Sequence, residues 1–285
     1  MEVHFYSAVF LMKFLLFPRS FAAFVLSALV ASATAHADLY SSGVNLGAAG
    51  RTKQWAIFSL GGGVTDSDAL SGNVDITGDI GVAGSGNLTL SGNVLVNGNI
   101  YYHTGGTLKL SGNATITGNS YQNASSDSML DQAVIDAKNA SNAAFALPAS
   151  AGYPTTINTN KSLTLSGSGT VVLKLTDFVM SGNSTLTLQG TAATTFIINV
   201  SNTFSLSSAK VVLSGGLLAA NVLYNVRGNG SDISMSSNSE LSGTILATNR
   251  NASLSGQSSV IGSIIANKVT MSGGSTVKLP PTVSH

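Results

Sequence analysis

The chain has 285 residues, 13 basic and 12 acidic side chains, and no cysteine. Only 9% of residues are charged while 44% are hydrophobic, a balance that excludes a chain held open by its own charge. The lack of cysteine excludes a disulfide framework, a thiolate metal site and a cysteine nucleophile.

In chain order, the first predicted element is an export leader. Met12, Lys13 and Arg19 make a short basic start, residues 21–30 form an apolar run, and Ala35-His36-Ala37 is a small-x-small cleavage site. Residues 1–37 therefore read as a signal peptide, with Met12 an alternative start and Asp38 the first residue of the mature, secreted chain. The run is too short for a membrane anchor, and no stop-transfer pattern follows it. Taking away Lys13, Arg19 and Glu2 leaves 11 basic and 11 acidic residues, a net charge of zero. Such a chain has no electrostatic footprint for nucleic acid. No later apolar stretch is long enough to span a membrane.

Residues 38–285 read as one domain dominated by a short phrase, apolar-x-apolar-Ser-Gly. It occurs as LTLSG (88–92), LKLSG (108–112), LTLSG (163–167), FVMSG (178–182), VVLSG (211–215) and VTMSG (269–273). Looser copies are LTLQG (186–190), FSLSS (204–208), ISMSS (233–237) and ASLSG (252–256). Ser71, Ser91 and Ser111 each open a Ser-Gly-Asn block, a local repeat of 20 residues. Alternation sends the two apolar side chains to one face of a strand and the middle residue to the other. Ser-Gly then turns the chain. One block cannot bury enough apolar surface to offset its own ordering, so blocks must stack and share a core. The spacing suits the coils of a β-solenoid and is too short for a propeller blade.

One segment departs from this pattern. Residues 126–147 read SDSMLDQAVIDAKNASNAAFAL, and Leu130, Val134, Ala137, Ser141 and Ala144 follow helical spacing. Ser128 with Asp131 resembles a capping box, and Pro148 stops the helix. The predicted fold is all-β with one helix: a β-solenoid whose lateral α-helix joins an N-terminal group of coils to a C-terminal group.

The order of motifs resembles the bacterial ice-binding-like β-solenoid family, which includes ice-binding and ice-adhesion domains. The similarity covers about residues 55–277. It rests on WAIFSLGGGV (55–64), ITGDIGV (76–82), the helix, TTFIINVSNTFSL (194–206), ANVLYNVRG (220–228), GTILATNRNASL (243–254) and GSIIANKVTM (262–271). The resemblance implies a discontinuous, right-handed β-helix of roughly triangular section, no catalysis, and ice binding on one flat face. Looser similarity extends to other secreted, repeat-rich surface proteins.

A binding face is sought in the outward middle residues of the phrase, which are Thr89, Lys109, Thr164, Val179, Thr187, Ser205, Val212, Ser234, Ser253 and Thr270. Thr89, Thr164, Thr187, Ser234, Ser253 and Thr270 are the candidate contacts, since rigidly spaced hydroxyls engage a surface through many weak interactions. The expected partner is ice, or else the extracellular matrix or cell surface. Thr and Ser are also ordinary outward residues of any sheet. Asp75 and Asp79 flank a tight turn where a hard cation is conceivable, but the calcium-binding nonapeptide is absent, so no metal and no cofactor is expected. Enzymatic cleavage of polysaccharide needs clustered carboxylates, and Glu240 is the one glutamate of the mature chain. His103 and His285 complete no serine–histidine–acid set. Tyr101, Tyr102 and Tyr121 are read as cover for coil edges beside the helix rather than as a sugar-stacking strip.

Overall fold

The computed structural model describes Leu46, residues 55–61 and residues 67–280; the expected leader lies outside the described residues. The described chain winds as a β-solenoid with three faces, every strand pair being parallel.

The first face is a sheet of nine strands. Their spatial order is Ile157–Thr159, Phe178–Met180, Phe204–Ser207, Ile233–Ser236, Ala252–Leu254, Val269–Met271, Ser67–Ser71, Asn87–Gly92 and Leu108–Gly112. The second sheet bends round a corner and supplies the other two faces. Glu240–Ala247 and Ser259–Ala266 run continuously across that corner.

Spatial order is not chain order. The C-terminal strand Val269–Met271 lies beside Ser67–Ser71, so the N-terminal coils stack upon the C-terminal ones. The coil at this junction is built from both ends of the chain. Val269–Met271 and Thr276–Lys278 form two of its sides. Trp55–Ser59 fills the third, pairing with Ser259–Ala266 below and Asp79–Val82 above. The two ends meet at the corner where Leu279 donates its N–H to the Thr77 carbonyl at 3.0 Å. Gly78 is required there: a β-carbon on it would lie 2.6 Å from Leu279 Cδ1 and 3.0 Å from Ala56 Cβ.

The phrase folds as its alternation demands. Leu88, Leu90, Phe178, Met180, Phe204, Leu206, Met235 and Leu254 all point into one continuous core. Phe178 and Phe204 stack at 4.9 Å, and Tyr224 meets both edge-on. The outermost N-terminal coil is the exception: Leu110 is 52% exposed because Leu108–Gly112 is the edge strand of the sheet among the described residues.

The Ser-Gly-Asn repeat has a corner for its cause. Gly72, Gly92 and Gly112 take φ of 81°, 76° and 68°, the left-handed region that glycine reaches freely. The asparagines then form a ladder from coil to coil. Asn93 Nδ2 donates to Asn73 Oδ1, and Asn113 Nδ2 to Asn93 Oδ1, both at 2.9 Å. The C-terminal coils satisfy the same corner with buried serines. Ser239, Ser258 and Ser275 each donate to the carbonyl three residues back, at 2.5, 2.6 and 2.6 Å.

The helix, α1, spans Ala124–Ala146. It starts two residues before the predicted boundary, and the cap is Asn123 rather than Ser128: Asn123 Oδ1 accepts the Ser126 N–H at 3.0 Å. Asn123 holds an extended backbone and so satisfies a free amide that Ser128, inside the helix, cannot reach. Twenty-three residues make about 34 Å of helix, close to the roughly 38 Å climbed by nine stacked strands. That match lets α1 carry the chain from the last N-terminal coil to the first C-terminal one. Its small face, Ala133, Ala137, Ala140, Ser141 and Ala144, lies against Ile197, Leu223, Leu246 and Ile265. These strands are buried on both sides, which is why they read as unbroken apolar runs.

Candidate functional site

The three faces differ sharply in chemistry. The bent sheet's face of Thr170–Leu175, Thr195–Val200 and Val222–Val226 is covered by α1, and its asparagines Asn199 and Asn225 are engaged there. Asn199 Nδ2 donates to the Ala144 carbonyl at 2.9 Å, and Asn225 Nδ2 donates to the Ser141 carbonyl and to Asn199 Oδ1. The bent sheet's other face carries ion pairs between neighbouring coils. Lys210 meets Glu240 at 2.5 Å, and Lys278 meets Asp75 at 3.2 Å. Ile261 and Leu95 project from it, 48% and 42% exposed.

The nine-stranded sheet is different. Its central outward column runs Asn158, Val179, Ser205, Ser234, Ser253, Thr270, Ala69, Thr89, Lys109, each paired with the next in unshifted register. Two residues along each strand lies a second column. Ser207 is paired with Ser236, and Ser71, Ser91 and Ser111 are paired in turn. Ser181, Ser255 and Ser272 continue it, each directly after a paired residue. The result is a grid of small hydroxyls about 4.8 Å apart between coils and about 6.7 Å apart along a strand. Lys109, on the outermost coil, is the one charge within these two columns; Asp177, Asp232 and Lys268 border the face, each one residue before its strand. A hydroxyl on a fixed strand needs no ordering when a surface arrives, so little entropy opposes simultaneous contact.

Four of the six candidates fall on this grid: Thr89, Ser234, Ser253 and Thr270. Thr164 and Thr187 do not. They pair with one another on the ion-paired face, in a column continued by Val212. The six therefore do not share a plane. The phrase has the same period wherever it falls, so alternation alone does not tell one face from another. The second serine column was missed because serine before glycine reads first as turn chemistry.

The remaining candidate residues serve the scaffold. Asp79 Oδ1 accepts from the Asn99 amide at 2.7 Å, and Asp75 is engaged by Lys278. Among the described residues no group of three His, Asp or Glu side chains is placed to hold a metal. His103 Nδ1 accepts the Gly105 N–H at 3.3 Å while Nε2 faces Asp127 and Asp131 of α1 at 3.9 and 3.8 Å. Tyr101 stacks on Tyr121 at 4.8 Å and meets Trp55 edge-on, closing the coil beside the helix. Among the described residues no helix is long and apolar enough to cross a membrane.

Fold and face together define a β-solenoid that presents a regular polar surface. The chain belongs to the family described as "Putative Ice-binding-like adhesive domain", whose model matches residues 20–278. No curated protein sequence matches it. Among the solved structures that share the fold are the following three. An ice-binding protein from an Antarctic bacterium of the Flavobacteriaceae has 22% identity and a TM-score of 0.55, with 84% of this chain covering 48% of that one. A glycosylated ice-binding protein from an Arctic yeast has 18% identity and a TM-score of 0.53, over 85% and 98% of the two chains. That of the Antarctic ascomycete Antarctomyces psychrotrophicus has 22% identity and a TM-score of 0.50, over 83% and 98%.

Proposed function

We propose that the protein adsorbs to ice through the serine and threonine face of its nine-stranded sheet. The observation that carries this is the two-column grid itself: mostly hydroxyls repeated in unshifted register, with Lys109 the one charge within the two columns. Ice is a periodic, uncharged lattice of hydrogen-bonding groups. A matching periodic face binds it by summing many weak contacts, whereas ion pairs keep their own water. The family and the ice-binding proteins that share this fold support the same partner. The protein acts without catalysis, outside the cell, after export by a leader ending at Ala37.

Partition of the purified chain into a slowly growing ice front, with thermal hysteresis and recrystallisation inhibition, tests the proposal. Enrichment in the ice fraction is expected. Complete exclusion at micromolar concentration would favour a purely adhesive role toward cell surface or matrix, the reading that the family's description also supports.

A further inference from the structure

The corner between the nine-stranded sheet and the ion-paired face is turned through left-handed residues, and glycine serves at Gly72, Gly92, Gly112, Gly182, Gly256 and Gly273. Two coils depart from this. Ser208 and Ser237 hold φ of 52° and 56°, where a β-carbon crowds the following carbonyl. Asn183 and Asn238 hold 58° and 59° beside them. Among the described residues five that are not glycine have left-handed φ, and these four of them line a single notch of about 270 Å³ with Thr185 and Lys210.

The notch arises from chain length. Ser181 to Thr185 and Ser236 to Glu240 each turn the corner in four steps, but Ser207 to Lys210, in the coil between, takes three. The middle coil therefore cuts the corner. The Asn183 amide donates to the Ser208 carbonyl and the Asn238 amide to the Gly256 carbonyl, both at 2.7 Å. These bonds fix the two asparagines on either side of the recess, about 9.6 Å or two rungs apart. A corner kept only for its shape would be relieved by glycine. Strain held where side chains line a recess points to a ligand.

We propose that this notch binds one ring of a neutral saccharide. Each asparagine carboxamide and each serine or threonine hydroxyl both donates and accepts, as every sugar hydroxyl does. The one charge lining the notch, Lys210, is already paired with Glu240 at 2.5 Å, so the lining suits an uncharged guest rather than an anion or a metal ion. The volume lies just below the roughly 300 Å³ at which small-molecule pockets begin, which limits the guest to a single ring. The site stands independently of the ice reading, since it lies beyond the end of the second serine column and not on the grid.

Titration of the isotope-labelled chain with glucose, galactose, mannose and N-acetylglucosamine, followed at the amides of Asn183, Ser208 and Asn238, tests this. Glycerol serves as the acyclic control. Saturable shifts at these amides are expected with at least one of the sugars and not with glycerol. Ser208→Gly combined with Ser237→Gly removes two hydroxyls while relieving the backbone. It should weaken sugar binding at least roughly tenfold, with the melting temperature unchanged or raised. Absence of saturable shifts with all four sugars overturns the proposal. Equal binding by the glycine variant, or equal response to glycerol, overturns it as well.

Discussion

Ser141 of α1 donates its hydroxyl to Asn225 Oδ1 at 2.7 Å, and Asn225 returns a hydrogen bond to the Ser141 carbonyl at 3.0 Å. Both residues are buried, and Asn225 also donates to Asn199. This closed network fixes where α1 lies along an otherwise smooth, small-residue face. Asn225→Ala should destabilise the fold by about 2–4 kcal/mol, because Ser141 and Asn199 lose partners while buried. Chemical denaturation checks this. Asn225→Ala combined with Ser141→Ala should cost less than the two single changes added, since they share one network.

Leu254 is fully buried and points into the core. Leu254→Asp should cost more than about 3 kcal/mol, or abolish soluble expression, by placing an unpaired carboxylate there. Ser253→Asp, one residue away and exposed, should melt within a few degrees of the unsubstituted chain. Thermal melts of the pair test the alternation directly.

Alternation was the most legible feature of the sequence. It located the strands, their inward residues and the departure at α1. It did not reveal which face a phrase occupies, and Thr164 and Thr187 show why. The useful signal lies in the residues just after the phrase. Ser-Gly-Asn-Val at 71–74 and 91–94 leads to another alternating strand, so LTLSG at 88–92 lies one corner before the ion-paired face. LTLSG at 163–167 runs on into TVVLKL, an apolar run covered by α1, so that phrase already lies on the ion-paired face. The junction coil was illegible because local periodicity says nothing about which distant strands pair. Asn199 and Asn225 were hidden for a similar reason: asparagine inside an apolar run declares its purpose only once a helix covers it.

The helix start has a titratable tie. The Thr104 hydroxyl and amide donate to Asp127 at 2.5 and 2.9 Å and hold its carboxyl below the usual carboxylate range against an opposing effect of burial, with His103 adding the smallest lowering. A carboxylate depressed in the fold contributes stability above its unfolded value of about 3.9, and that contribution is lost as pH falls through the lower folded value. Melting temperature should therefore drop on acidification below about pH 4. Asp127→Asn should shrink that drop. Part of the slope should remain with Asp177, held low by Thr203 and Asn202. A melting series from neutral to strongly acid pH distinguishes the two.

The meeting of both ends in one coil makes the chain permutable. A flexible linker from residue 280 to residue 45, which keeps the buried Leu46, would make the junction coil covalently continuous. New ends can be opened at Gly152, whose surroundings are empty and whose segment is exposed. The permuted chain should fold and melt within about 5 °C of the original, since proximate ends and an exposed loop are what permutation requires. Failure to fold would mean that the strand order at the junction is wrong.

The split of the six candidate residues between two faces gives the sharpest test of function. Ser234 lies mid-column on the hydroxyl grid, and Thr187 lies on the face of ion pairs. Both point outward from strands, and tyrosine suits a strand, so neither Ser234→Tyr nor Thr187→Tyr should lower the melting temperature appreciably. Their effects on ice should differ. Ser234→Tyr raises a bulky ring above the grid and prevents neighbouring rungs from touching a flat surface together, so ice partition and hysteresis should fall to near background. Thr187→Tyr should leave both unchanged. Lys109→Thr extends the column to its last coil and should preserve activity or raise it slightly. Loss of activity in Thr187→Tyr with retention in Ser234→Tyr would move the binding surface to the ion-paired face, and equal retention in both would remove it from either sheet.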